Sequence, residues 1–167
     1  LFENGGVYCH ATGFKILMDC KVGRASKALQ TLKKIMPDSE KNPSSRSGAE
    51  PYVFTNCYST HPGYYGKSYQ SWTTGTSVWC LMGIYEGIMG VKRDYEGLKI
   101  VPCFPAEWNR AEMTRHFRNA DYHIIIENPQ HIESGKPIVS VDGVQIEGNR
   151  LPDFADGSRH EVKVVLR

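Results

Sequence analysis

Apolar residues in the first half of the chain recur with helical spacing, and those in the second half alternate. Ala25, Ala28, Leu29, Leu32, Ile35 and Met36 follow a 3.6-residue period, and Pro37 closes the run. Upstream, a helix is expected from Thr12 or Gly13, with Phe14, Leu17 and Met18 turned inward and Gly23 as its stop. Residues 38–50 form a polar loop. Pro51 to Asn56 and an aromatic, glycine-rich loop to about Gln70 follow. A third helix is expected from about Thr76 to Met89, with Val78, Leu81, Met82, Tyr85, Ile88 and Met89 on its apolar face and Gly90 as C-cap.

Beyond residues 92–97 the period falls toward 2. Leu98 to Val101 opens a strand region, and Arg115–Arg118 and Tyr122–Glu127 read as strands around Asn119-Ala120-Asp121. Ile138–Val141 and Val144–Ile146 flank Asp142-Gly143, a strong hairpin signal. His160 to Leu166 alternates to the end. Helices followed by antiparallel strands predict an α+β chain of two segregated units, residues 1–95 and 96–167.

Composition narrows the class. The chain is 40% hydrophobic and 23% charged with a net charge of +2, as expected of a globular protein. The basic residues are spread out, with no stripe of the kind that nucleic acid needs. No apolar run approaches the roughly 20 residues that span a bilayer. Cys9, Cys20, Cys57, Cys80 and Cys103 are odd in number and contain no CxxC, which argues against a disulfide framework or a zinc site and for a reducing, cytoplasmic setting. No metal ligand set is expected, and His61, His116, His123, His131 and His160 lack ligand spacing. The chain opens at Leu1 without methionine or a visible signal peptide, so it reads as a processed chain or a piece of a longer one.

Three segments could carry chemistry. Ser71-Trp72-Thr73-Thr74-Gly75-Thr76 precedes the third helix. It reads either as an ordinary Ser/Thr cap or as an anion seat, where glycine admits close approach and threonine hydroxyls add donors. Glu3-Asn4-Gly5-Gly6-Val7-Tyr8-Cys9-His10 sets a carboxylate and an imidazole at the two ends of a glycine-hinged segment; the alternative is a loop carboxylate and a buried histidine. Tyr52, Phe54, Tyr58, Tyr64, Tyr65, Tyr69 and Trp72 supply aromatic faces for sugar stacking or for a core. Arg46 and Glu50 are expected to pair and brace the loop before Pro51. No spacing marks a glycosidase carboxylate pair.

Taken in order, these segments resemble the inverting cellobiose and chitobiose phosphorylase family, which includes cellodextrin and laminaribiose phosphorylases. Glu50-Pro51-Tyr52-Val53, Gly87-Ile88-Met89-Gly90-Val91, Tyr95-Glu96-Gly97-Leu98-Lys99-Ile100-Val101-Pro102-Cys103 and Phe104-Pro105-Ala106-Glu107-Trp108 complete the set, which extends over about residues 2–130. The resemblance implies that the chain supplies the last helices of an (α/α)6 barrel and a small antiparallel, β-sandwich-like C-terminal domain. It implies a phosphate seat at His10, Thr74 and Gly75, an acceptor-sugar contact at Glu3, and a donor-sugar contact at Asn56, where the family often has glutamine. The implied reaction is reversible, inverting phosphorolysis of a β-linked gluco-oligosaccharide to α-glucose 1-phosphate. Inorganic phosphate is then a co-substrate and no cofactor is required. The general-acid aspartate is expected upstream, outside this chain, so the chain alone is expected to be inactive. Expected partners are the oligosaccharide, phosphate, the remainder of a parent enzyme and, as in many relatives, a second copy in a homodimer; neither nucleic acid nor membrane is expected. Two alternatives are the phosphorylase-like module of a cyclic β-1,2-glucan synthase and a non-catalytic carbohydrate-binding module.

Overall fold

The computed structural model describes residues 2–167, with side chains from Asn4 onward. The chain forms two compact units: residues up to Asp19 with Lys27–Gly83, and Cys20–Ser26 with Ile84–Arg167. Both helices and sheets are present, so the chain is α+β.

In the first unit a short helix, α1 (Phe2–Gly5), runs into strand β1 (Gly6–Tyr8) and directly into α2 (Cys9–Lys21). Helix α2 starts earlier than expected, at Cys9, whose N–H, without an intrahelical partner in the first turn, donates to Asn56 O at 2.7 Å. Its buried positions are Cys9, Gly13, Ile16, Asp19 and Cys20. The expected inward face is therefore corrected: Phe14 and Met18 are exposed, and Leu17 is only partly covered. The cause is close helix contact at Gly13, where an added Cβ would lie 2.6 Å from Trp79 Cβ. That approach rotates the small side of α2 inward. Helix α3 (Ala25–Ile35) buries Ala25, Ala28, Leu29, Leu32 and Ile35 as its periodicity requires, but Met36 lies beyond its end, exposed.

The loop before Pro51 contains one helical turn, α4 (Ser44–Ser47), closed by Gly48 in the left-handed region at φ 74°. The expected Arg46–Glu50 pair does not form. Arg46 donates to Lys41 O at 3.4 Å, and Glu50 accepts the Trp72 indole N–H at 2.8 Å. Strands β2 (Cys57–Ser59) and β3 (Ser68–Tyr69) join β1 in an antiparallel sheet of order β1-β2-β3. Helix α5 (Thr76–Met82) then follows, and from Gly83 to Ile88 the winding widens to a π-helix. Over 76–89 the buried positions are Thr76, Cys80, Gly83, Gly87, Ile88 and Met89; the expected Ile88 and Met89 are thus buried, whereas the expected Val78 and Leu81 are exposed. Gly83 allows the contact, since an added Cβ would lie 2.8 Å from Ile16 Cγ2.

The second unit is built on strands β4 (Val91–Asp94), β5 (Gly97–Ile100), β6 (Arg110–Phe117), β7 (Ala120–Glu127), β8 (Pro137–Val141), β9 (Val144–Gln145) and β10 (Arg159–Leu166). Strands β4 and β5 form a hairpin across residues 92–97, where only a boundary was expected. The β6–β7 turn is Arg118-Asn119, both at positive φ, one residue earlier than expected. Asp142-Gly143 makes the expected two-residue turn, also with both φ positive. The sheet order is β6-β7-β10-β8-β9. Strand β10 inserts between β7 and β8, antiparallel to β8 but parallel to β7, which corrects the all-antiparallel expectation. Tyr122, Ile124 and Ile126 of β7 and Val162, Val164 and Leu166 of β10 alternate into one core with Val139, Leu98, Ile100 and Phe104.

One polar cluster belongs to this unit. His160, 7% exposed, faces Asp142 Oδ2 from Nδ1 at 2.8 Å and Asp156 Oδ1 from Nε2 at 3.3 Å, and stacks on Phe154 with centroids 3.6 Å apart. The Asp142 hydrogen bond, with Asp156 adding to it, raises the His160 pKa. His160 lowers that of Asp142. The Asp156 carboxyl is lowered first by the Ser158 amide and then by His160. The histidine's contribution to stability is thus complete below its unfolded pKa of about 6.5 and is lost as pH rises through the higher folded value. The aspartates' contribution is present above about 3.9 and is lost as pH falls through their depressed values. Melting curves should show the gap between wild type and His160→Gln narrowing as pH rises above about 6.5 and through the raised folded value. A gap that stays constant as pH rises contradicts the pairing.

Candidate functional site

The three-stranded sheet brings distant parts of the sequence to one edge. Tyr8 pairs with Cys57, and Cys57 pairs with Tyr69. Beyond the strands, Cys9 N–H donates to Asn56 O at 2.7 Å and Asn56 N–H to Gln70 O at 3.1 Å. The start of α2, the residue before β2 and the segment after β3 therefore meet. His10 lies on the first turn of α2, and Thr74 and Gly75 close the segment that leads into α5.

His10 lies against Gly75. A Cβ added to Gly75 would be 2.8 Å from His10 Cε1 and 3.1 Å from Nε2. Gly75 has φ −79° and ψ 0°, so what demands glycine here is the imidazole beside it and not backbone strain. The Tyr8 hydroxyl sits 3.3 Å from His10 Nδ1. That contact leaves Nε2 as the nitrogen free to meet a ligand. Phe14 and Trp79, with ring centroids 5.5 and 6.5 Å from that of His10, flank the imidazole.

Thr74 is fixed from three sides. Its Oγ1 accepts from Asn56 Nδ2 at 3.1 Å and from Thr76 N–H at 3.1 Å, and lies 2.8 Å from Thr76 Oγ1. Two accepted bonds use both lone pairs, so the Thr74 proton points to Thr76 Oγ1 or to a ligand. Gly75 itself is the N-cap of α5, and no side-chain cap bond is made from it. The Thr74 hydroxyl accepts from the Thr76 amide two residues on, so it caps the start of the helix as an ordinary Ser/Thr cap does, while also standing next to Gly75, against which His10 lies.

Of the residues expected to meet a substrate, the structure brings His10, Thr74, Gly75 and Asn56 together; the Glu3 side chain lies outside the described residues. The Asn56–Thr74 contact was not legible in the sequence, since nothing in their 18-residue separation signals it. Trp72 is exposed, but its indole is held by Glu50 and its ring meets Tyr52 edge-on at 6.4 Å. Glu50's own amide, the Trp72 indole and Ser71 hold its carboxyl below the usual glutamate range. All five cysteines are buried, and none forms a disulfide. Burial pushes the Cys9 thiol up to about 12 and that of Cys80 to about 11, which leaves no thiolate for chemistry near neutral pH. Among the described residues no group of three or more His, Cys, Asp or Glu is placed to hold a metal, and no helix is long and apolar enough to cross a membrane.

This chain belongs to the glycosyl hydrolase 94 superfamily, whose catalytic-domain profile matches residues 1–90. It is 39% identical over 166 residues to the solabiose phosphorylase of Paenibacillus borealis, covering 98% of this chain and 22% of that protein. It is 33% identical over 165 residues to the N,N'-diacetylchitobiose phosphorylase of Vibrio proteolyticus, covering 98% of this chain and 20% of that enzyme. The cyclic beta-(1,2)-glucan synthase NdvB of Rhizobium meliloti is 28% identical over 143 residues, 84% of this chain and 5% of the synthase. The chain thus spans about a fifth of the length of the phosphorylases it matches.

Proposed function

We propose that this chain is the phosphate-holding part of an inverting glycoside phosphorylase that cleaves β-linked gluco-oligosaccharides with inorganic phosphate. The observation that carries this reading is the His10–Gly75 contact beside the fixed Thr74 hydroxyl. An imidazole nitrogen, a hydroxyl and a backbone unencumbered by a side chain converge there, which suits an oxyanion. Phosphate arrives already anionic, so the protein needs to hold it in line and not to deprotonate it. Its oxygen attacks the anomeric carbon from the face opposite the leaving group. The glycosidic C–O bond breaks, and a general acid gives its proton to the departing oxygen. The product is an α-sugar 1-phosphate.

The acid is an aspartate of the complete enzyme outside this chain, so the isolated chain turns over no substrate. Two features support the reading that the helices of residues 1–95 belong to an (α/α)6 barrel, with residues 96–167 as a C-terminal β domain. The chain spans only a fifth of its relatives, and Phe14 at 44%, Met18 at 56%, Val78 at 57% and Leu81 at 49% exposure leave apolar helix faces that further helices would cover. Glu3 and Asn56 are assigned to the acceptor and donor sugars. Asn56 spends one amide proton on Thr74 and keeps its carbonyl oxygen for a hydroxyl. Inorganic phosphate is the co-substrate, no further cofactor is needed, and the enzyme is cytoplasmic and homodimeric. Similarity to the cyclic glucan synthase sustains a second reading, a phosphorylase-like module of such a synthase.

Proton NMR of the full-length enzyme with cellobiose, solabiose or diacetylchitobiose tests the function. An α-anomeric sugar 1-phosphate is expected to accumulate from at least one of them, and only when phosphate is present. Release of two free sugars at the same rate without phosphate would sink the proposal.

A further inference from the structure

Three cationic residues line a cavity of about 240 Å³ on the other face of the β1-β2-β3 sheet. Val7 and Tyr58 pair across β1 and β2 and line it. Their neighbours Tyr8 and Cys57 point to the opposite face, where the Tyr8 hydroxyl meets His10. The cavity is therefore separate from the His10–Gly75 seat.

Lys34 reaches it from the last turn of α3, Lys41 from the following loop and Arg46 from α4. None of the described residues lining it is acidic. Arg46 lies over the Tyr65 ring at 5.8 Å and, among the described residues, donates to the Lys41 carbonyl at 3.4 Å. With three cationic residues and no described acidic residue in its lining, the cavity presents net positive charge to an anion.

A second requirement is unmet in the same wall. Asn42 donates from Nδ2 to Gly66 O at 2.9 Å, and this leaves its Oδ1 buried without a donor. Gly66, at φ +80°, keeps the space beside it, since an added Cβ would lie 2.9 Å from that oxygen and 3.5 Å from Arg46 Nε. The wall thus offers positive charge for an anion and an orphan acceptor for a hydroxyl. Its volume, below the roughly 300–1,000 Å³ of pockets for larger ligands, fits about one sugar unit.

We propose that this cavity is a second, non-catalytic site for a phosphorylated sugar, with the phosphoryl oxygens on Lys34, Lys41 and Arg46 and a sugar hydroxyl donating to Asn42 Oδ1. The planar Arg46 fork suits two phosphoryl oxygens at once.

Equilibrium dialysis of the full-length protein with radiolabelled α-glucose 1-phosphate and, in parallel, orthophosphate tests this. One bound equivalent should disappear in Lys41→Gln/Arg46→Gln, both exposed residues, and a melting curve of the variant controls for the lost Arg46–Tyr65 contact. That equivalent should persist in His10→Ala, which alters only the other seat, so the two sites fail independently. The sugar phosphate should bind at this site at least about tenfold tighter than orthophosphate, a difference of about 1.4 kcal/mol. Unchanged stoichiometry and affinity in the double variant overturn the proposal. A sugar phosphate that binds no tighter than orthophosphate overturns the hydroxyl contact with Asn42.

Discussion

Gly75→Ala is expected to lower kcat/KM for phosphate by about a hundredfold while the protein stays folded, the scale that a misplacement of about 1 Å produces in an active site. The new Cβ would meet the His10 ring at 2.8 Å, and the ring must move aside to make room. The obstacle is a side chain able to rotate, and φ −79° is open to any residue, so folding is barely touched. The cost falls instead on the seat, because the same displacement takes the imidazole from its place beside Thr74. Rates measured over a range of phosphate concentrations, with a melting curve for each protein, separate the two effects. A variant that melts as wild type and cleaves as wild type contradicts the role given to the His10–Gly75 pair.

Gly90→Ala is expected to have the opposite profile: a stability loss of about 4 kcal/mol or more, the range reached by substitutions that break a specific structural constraint. Gly90 sits at φ +66°. Its added Cβ would lie 2.0 Å from Val101 O, 2.2 Å from Val101 C and 2.4 Å from Pro102 N. These are backbone atoms, and Val101 N–H donates to Gly90 O at 2.8 Å, so the two segments cannot part without breaking the join. Gly143→Ala is the internal control. It has φ +82° in the β8–β9 turn, and nothing lies within 4 Å of its added Cβ. It should lose only the left-handed penalty of about 1–2 kcal/mol. Urea unfolding of both variants tests the contrast; equal losses would show that conformation and not contact sets the cost at Gly90.

These glycines also show why parts of the fold could not be read from the sequence. Periodicity found α3 and the β8–β9 hairpin, because there burial follows hydrophobicity. It failed on α2 and α5, where the buried sides carry Gly13, Cys20, Thr76, Cys80 and Gly83, while Phe14, Met18, Val78 and Leu81 face out. Close approach, as at Gly13 against Trp79, rewards small residues, and a hydrophobicity pattern takes them for the polar side. The parallel β7–β10 pairing was hidden for another reason: alternation marks a strand but not its neighbour.

The candidate site was legible in part. Thr74 and Gly75 stood out by composition before a helix, and His10 by its place after the double glycine. What joins them is the register of three short strands, Tyr8 to Cys57 to Tyr69, too brief for any pattern to predict. The Asn56 hydrogen bond to Thr74 and the basic cavity on the other face of the sheet depend on the same register.

The central claim is that His10, Thr74 and Gly75 form the seat of the attacking phosphate. A crystal structure of the full-length enzyme soaked in phosphate tests it most directly. An oxyanion is expected within hydrogen-bonding distance of His10 Nε2 and the Thr74 hydroxyl, and its loss from that position in His10→Ala. A phosphate bound beside the sugar's anomeric carbon with neither residue in contact would contradict it.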